Sequence, residues 1–264
     1  MKSRLKKIIN SFFKKFNLQL VNRSSYKKLK NESNNYLAYS FYNICDQKFS
    51  DFFKYVNYSQ SQLKQDLFVL SELGFKKKGF FVEFGATDGI RFSNTYLMET
   101  KLEWSGILCE PAKIWHSRLR VNRLGPIDTG CVWSESGKTL IFNEVVGGEQ
   151  LGELSTIDSY SNNDYMSKFR KKNSRKYNVS TISLSDLLKK YEAPYEIDYL
   201  SIDTEGSEHD ILRSFNFDEY NIKIITCEHN DSNTREKIFS LLSEKGYKRK
   251  YVEFSRYDDW YVRK

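Results

Sequence analysis

Two segments constrain this chain most: Phe80-Phe81-Val82-Glu83-Phe84-Gly85-Ala86-Thr87-Asp88-Gly89 and Ile197-Asp198-Tyr199-Leu200-Ser201-Ile202-Asp203-Thr204-Glu205-Gly206-Ser207-Glu208. Each is a short apolar run that stops abruptly in acidic residues and glycine. Such a run reads as a buried strand, and an open α/β sheet places its ligands beyond the carboxyl ends of its strands. The spacing predicts strands at 79–84, 106–110, near 127–133, 138–142, 197–202 and 222–228. Helical stripes fall between them, one through Leu63, Leu67, Phe68 and Leu70 closing at Gly74, another through Trp115 and Leu119. This alternation predicts a parallel sheet with helices on both faces. The stretches 247–254 and 260–262 alternate like two paired strands and predict an antiparallel addition at a sheet edge.

Other parts read differently. Within residues 1–20, Leu5, Ile8, Ile9, Phe12, Phe13 and Phe16 share one helix face, with Lys6, Lys7, Lys14 and Lys15 interleaved. A basic amphipathic helix of this kind can lie on an anionic membrane surface or pack on its own domain, and both readings stand. Asn31-Glu32-Ser33-Asn34-Asn35 reads as a linker, and the aromatic-rich 36–58 as a segment packed on something. Between 143 and 178 the pattern lapses into Gly, Ser, Asn and charge, including Lys168-Phe169-Arg170-Lys171-Lys172, which predicts a lid or substrate loop. The expected organisation is therefore a basic helical extension with linker over 1–60 and one α/β domain over 61–264.

Charge bears on which partners to expect. The net charge is +8, but residues 1–30 hold ten Lys/Arg and no acid, so the remainder carries −2. The basic character belongs to the amino-terminal segment, which argues against a nucleic-acid partner for the body. A nucleic-acid methylating enzyme of the amino-directed kind would also carry an aromatic Asn/Asp-Pro-Pro loop where this chain has Asp203-Thr204-Glu205-Gly206. Cys45, Cys109, Cys131 and Cys227 form no CxxC and read as reduced core residues. With no apolar run long enough to span a bilayer and no signal-like stretch, the expected location is cytoplasmic, peripheral on the inner membrane face if the first helix binds lipid.

The loop Glu83-x-Gly85-x-x-x-Gly89 departs from a dinucleotide fingerprint, because an acid leads it and Asp88 lies inside it. A phosphate would be repelled there, whereas the ammonium and sulfonium of S-adenosylmethionine would be attracted. Gly85 is expected to let the backbone approach the ligand, and Gly89 to allow tight packing as the next helix begins. Glu110, at the end of the second strand and followed by Pro111, is placed to accept hydrogen bonds from both ribose hydroxyls of an adenosine. Asp203, Glu205, Glu208, Glu228 and His229 gather after the later strands and are the candidates for proton removal. His229 is the first guess for a general base, or else it only orients its neighbours. Asp203, Glu228 and Asn230 form an alternative set of oxygen ligands for Mg2+.

With these residues in view the chain resembles the FkbM-type methyltransferase family, class I S-adenosylmethionine enzymes. The likeness rests on Ser61-Gln62, Gln65-Asp66, Phe81-Val82-Glu83-Phe84-Gly85, Asp88-Gly89, Ser93-Asn94-Thr95, Trp104-Ser105-Gly106, Glu110-Pro111, Cys131-Val132-Trp133-Ser134, Thr181-Ile182-Ser183-Leu184, Ile202-Asp203-Thr204-Glu205-Gly206-Ser207-Glu208, Cys227-Glu228-His229-Asn230 and Asp259-Trp260-Tyr261-Val262. It implies a Rossmann-like, mostly parallel seven-stranded sheet with a carboxyl-terminal antiparallel hairpin, and methyl transfer to oxygen. The acceptor it implies is a hydroxyl of a sugar or of a polyketide-like molecule, and the reading taken here is a sugar hydroxyl in a surface glycan or its precursor. By that resemblance Glu83, Gly85, Ala86, Thr87, Asp88, Gly89 and Asn94 serve the methionine end of the cofactor, Glu110 and Pro111 the ribose, Val132 and Trp133 the adenine, with Asp203 nearby. Many relatives carry Asp where Glu83 stands, which leaves its role less defined. A membrane-associated adaptor that kept the fold without the reaction is the non-catalytic rival.

Overall fold

The computed structural model describes residues 23–46, 49–146, 152–161, 167–230 and 233–264. The basic helix expected within residues 1–20 lies outside them. Among the described residues no helix is long and apolar enough to cross a membrane.

Seven strands build the main sheet: β1 (Phe80–Phe84), β2 (Ser105–Cys109), β3 (Ile127–Asp128), β8 (Glu196–Ile202), β9 (Asn221–Glu228), β10 (Tyr247–Lys250) and β11 (Asp258–Arg263). Their order is β10-β11-β9-β8-β1-β2-β3. The β1–β2, β1–β8, β2–β3 and β8–β9 pairs are parallel, while β11 runs antiparallel to both β9 and β10. This is the expected mostly parallel sheet with its closing hairpin. Strand order reverses between β1 and β8, so the crevice for a ligand opens beyond the carboxyl ends of those two strands.

Alternation along the strands sends side chains to two cores. On one face Val82, Phe84, Ile107, Leu200 and Ile202 pack under α7 (Leu184–Lys190), α8 (Glu208–Ser214) and α9 (Arg235–Glu244). On the other, Phe81, Leu108, Tyr199, Ile224 and Trp260 meet α3 (Gln65–Glu72), α4 (Tyr96–Leu102) and α5 (His116–Asn122). The second face also receives α1 (Arg23–Ile44) and α2 (Phe52–Tyr55). Ala38, Phe41 and Cys45 repeat at i, i+3 and i+7 and are buried, with Phe41 against Phe68, Tyr251, Phe254 and Trp260. The aromatic segment therefore completes the core of the α/β domain. The Asn31–Asn35 stretch is helix, not linker, because it lies in α1, whose carboxyl half is docked.

A second sheet of four strands, ordered β4-β7-β5-β6, is inserted between β3 and β8. It comprises β4 (Cys131–Trp133), β5 (Thr139–Val145), β6 (Thr156–Ile157) and β7 (Ser174–Ser183). The single strand expected near 127–133 is thus two, in different sheets, divided where the Gly130 N–H donates to Asp128 Oδ1 at 2.7 Å. The lapse at 143–178 is likewise no simple loop: β7 pairs antiparallel with β5 from Thr139↔Ser180 to Val145↔Ser174. Its polar residues fit a strand with one exposed face, which apolar patterning misses. The sheet packs Phe142, Ile157 and Val179 against Ala112, Trp115 and Cys131, so it leans on the segment after β2, at the carboxyl edge of the main sheet.

Candidate active site

A cavity of about 370 Å³ opens at the switch point. From the segments above it is lined by Glu83, Gly85, Thr87 and Asn94 from the first loop, Glu110 and Pro111 after β2, and Val132 from β4. Asp203 and Glu205 line it after β8, and Glu228 and Asn230 at the end of β9. Ala86, Asp88, Gly89, Trp133, Glu208 and His229 stand behind this surface rather than on it.

The first loop is built by its own acids. Glu83 is buried, and its carboxylate accepts from Ser93 Oγ at 3.1 and 3.0 Å, Asn94 N–H at 2.7 Å, Thr95 Oγ1 at 2.5 Å and Arg123 Nη1 at 3.3 Å. It spends its acceptor capacity tying residues 93–95 back to β1. Asp88 Oδ1 accepts the N–H groups of Ile90 and Arg91 at 2.9 and 2.8 Å and turns the chain. Gly85 sits at φ +71, and a Cβ there would come within 2.1 Å of Asp203 O. The close approach that requires glycine is therefore to the end of β8, not to a ligand as its loop position suggested. Gly89, at φ +82, packs where a Cβ would meet Arg123 Cγ at 2.6 Å, so its partner is α5 and the segment after it.

Glu110 accepts Thr87 N–H at Oε2 (2.8 Å) and Ala112 N–H at Oε1 (2.7 Å), linking the ends of β1 and β2. Burial pushes its carboxyl up to about 7 against those two hydrogen bonds. A carboxylate lone pair remains on each oxygen for a hydroxyl in the cleft. Val132 lines the cavity beside it, while Trp133 packs on Tyr160 with ring centroids 5.7 Å apart.

Beyond β8 and β9 the acids crowd. Asp203 opens into the cleft, yet the surrounding protein, with Glu208 and Glu83 near, raises its carboxyl to about 6 while a hydrogen bond with Glu228 opposes the rise. Burial, then the charges of Asp203 and Glu205, hold Glu228 well above the ordinary range, so this pair shares a proton. Ligand atoms of Asp203, Glu205 and Glu228 lie within 4.8 Å of one another. Glu228 Oε2 has no hydrogen-bond partner among the described residues. Asn230 turns its Nδ2 to Glu205 Oε2 at 3.5 Å, so Glu205 joins the expected set of Asp203, Glu228 and Asn230.

Glu208 begins α8, and its Oε1 accepts Thr204 N–H, Thr204 Oγ1 and Gly206 N–H at 3.0, 2.9 and 3.0 Å. It braces the acidic loop from behind. His229 is also buried, its Nε2 3.8 Å from Asp259 Oδ1. Asp259 in turn pairs with Arg235 and Arg249. This places the ring with a structural charge cluster rather than on the cavity wall.

Sequence reasoning missed three contributors. Arg170, on α6 (Ser167–Lys172), is fully buried; it donates to Leu154 O from Nε at 2.7 Å and pairs with Glu205 Oε2 through Nη2 at 3.1 Å. Gly152, Glu153, Leu154 and Ser155 form a strap along the cleft, and Gly152 is pressed on Trp115, where a Cβ would meet Cζ2 at 2.7 Å. Gln62, Gln65, Phe92, Tyr257 and Asp258 line the far end. The lapse at 143–178, the charge run around Arg170 and the matches at Gln62 and Gln65 carried a signal, but none said which of these residues turn into the cleft.

The family model described as the methyltransferase FkbM domain matches residues 83–249, more than half of the chain. Among solved structures, an FkbM methyltransferase from Methylobacillus flagellatus KT is 13% identical, with a TM-score of 0.44 over 87% of this chain and 59% of that one. A precorrin-6y C5,15-methyltransferase from Geobacter metallireducens GS-15 is 13% identical, with a TM-score of 0.38 over 75% of this chain and 85% of that one. No curated protein matches the sequence.

Proposed function

The chain belongs to the FkbM methyltransferase family, a class I methyltransferase with S-adenosylmethionine as its cofactor, and on that premise we propose that it methylates a hydroxyl of a sugar in a surface glycan or its precursor. One observation carries the acceptor reading. The far end of the cleft combines the amides of Gln62, Gln65 and Asn230 with the rings of Phe92 and Tyr257 and the carboxyl of Asp258. Amides and carboxyls match a ring of hydroxyls, and aromatic faces cover the C–H faces of a sugar. Gln65 Nε2 donates to Asp258 Oδ2 at 2.5 Å, and Tyr257 Oη to Gln62 Oε1 at 2.8 Å, so these groups are already oriented.

Bound S-adenosylmethionine supplies a methyl group activated on sulfonium. The chain's own residues then hold the acceptor oxygen in line and take its proton. Asp203, with a carboxyl near 6, is mostly ionised at neutral pH and can accept that proton, with Glu228 hydrogen-bonded beside it. Mg2+ is the second reading, favoured by the grouping of Asp203, Glu205 and Glu228 and by the unpartnered Glu228 Oε2. Asp203 and Glu228 would hold such an ion, which would lower the acceptor hydroxyl pKa.

The test is release of S-adenosylhomocysteine with a panel of methyl glycosides, with and without Mg2+. Turnover with a glycoside supports the reading, and turnover only with Mg2+ assigns the metal. Cofactor binding with no transfer to any glycoside removes the sugar acceptor. No cofactor binding by folded protein favours the non-catalytic adaptor.

A further inference from the structure

The amino-acid end of the cofactor is a zwitterion, and the cleft holds a complementary pair. Arg91 Nη1 and Glu153 Oε1 are 3.1 Å apart, with side chains 34% and 20% exposed, and both line the cavity. Among the described residues Arg91 is the one Lys or Arg on that lining. Its guanidinium stacks 4.5 Å from the Phe92 ring centroid, and its backbone N–H is held by Asp88. Only one of its five donors is needed for Glu153. Glu153 is offered from the strap, which Gly152 seats on Trp115 and Arg170 holds at Leu154 O.

The pair sits at the right end of the cleft. Arg91 is carried by the loop after β1, and Glu153 feels the charges of Asp203 and Asp88, so the pair lies near the acids that end β8 and follow β1. Burial raises its carboxyl to about 7 despite Arg91, the state of an acid with too little cation nearby. The acids first expected to hold the ammonium are otherwise engaged: Glu83 is filled by Ser93, Asn94, Thr95 and Arg123, and Asp88 stands behind the lining.

We propose that Arg91 takes the α-carboxylate and Glu153 the α-ammonium of the bound cofactor, closing a ring of four alternating charges. The proposal rests on the S-adenosylmethionine reading above. Calorimetric titration tests it with three probes: S-adenosylhomocysteine, its decarboxylated analogue, and 5′-methylthioadenosine, which lacks the amino-acid end. Arg91→Met is expected to weaken S-adenosylhomocysteine about tenfold or more, with methylthioadenosine and the decarboxylated analogue changed less than about twofold. Glu153→Gln is expected to weaken both amine-bearing probes and spare methylthioadenosine. Arg91→Lys should recover part of the loss and stands in if Arg91→Met does not fold.

Equal losses for all three probes, or none in either variant, overturn the pairing while leaving the cofactor reading intact. Wild-type protein that binds none of the probes overturns both.

Discussion

Glu110 shows how one carboxylate can be both structural and receptive. Its two oxygens hold Thr87 and Ala112, and its carboxyl is raised to about 7 by burial. If it also takes the ribose hydroxyls, Glu110→Ala weakens every adenosine-containing ligand by ~1–3 kcal/mol. S-adenosylhomocysteine and 5′-methylthioadenosine should then lose affinity alike, and calorimetry that finds either unchanged removes Glu110 from the ribose. At this scale the sequence was legible where an acid at a strand end opens into the cleft, as with Glu110, Asp203 and Glu228. It was misleading where two acids of similar type divide their work. Glu83 and Asp88 look like ligand-binding carboxylates, but hydrogen-bond donors brought near by folding fill them. Arg91, next to strained Phe92 in no motif, carried no signal because its meaning depends on Glu153 across the cleft.

Among elements, the inserted four-stranded sheet does the most to shape the site. With its connections it grips the acidic loop and α8 at several points: Thr156 Oγ1 donates to Glu205 O at 2.9 Å, Tyr160 Oη to Asp210 Oδ2 at 2.6 Å, and Arg170 pairs with Glu205. Glu205 sits at φ +58, a conformation that costs a non-glycine residue and is sustained by these contacts. Removing Arg170 would leave the half-buried Glu205 beside Asp203 and Glu228 without its cation. Arg170→Met is therefore expected to cost on the order of 3–5 kcal/mol, visible as a lowered denaturant midpoint in chemical unfolding. A midpoint within experimental error of wild type would show that the loop holds itself. The central parallel strands β1, β2, β8 and β9 were readable because they are largely buried on both faces and run mostly apolar. β7 was not, since its pattern alternates buried and exposed residues among polar ones and its partner β5 lies about 35 residues earlier.

Across the whole molecule, several cleft acids are held above their ordinary range: Glu110, Glu153 and Asp258 near 7, and Asp203 near 6. A carboxyl raised by folding binds its proton more tightly in the folded chain than in the unfolded one. Its contribution to stability is whole below about 4.5 and is lost as pH rises through about 7. From these groups the ligand-free protein should melt at lower temperature near pH 8 than near pH 6. A cationic cofactor favours the ionised acids, so the rise in melting temperature caused by S-adenosylmethionine should be larger at the higher pH. Melts at both pH values, with and without cofactor, check this; a cofactor shift that shrinks as pH rises would mean that these acids do not face the cation.

The sequence by itself determined the sheet class, the strand ends that line the cleft and the family. Those properties follow from local apolar runs and the glycine and acid that stop them. Tertiary structure alone decided which acids remain open to the cleft, that the 143–178 region includes strands and an inward arginine, and that Ala38, Phe41, Cys45 and Phe52 belong to the core. Each depends on which donors, cations and apolar faces are brought together from distant positions. A side chain's hydrogen-bonding capacity is spent on whatever folding places within reach, and no local pattern records that.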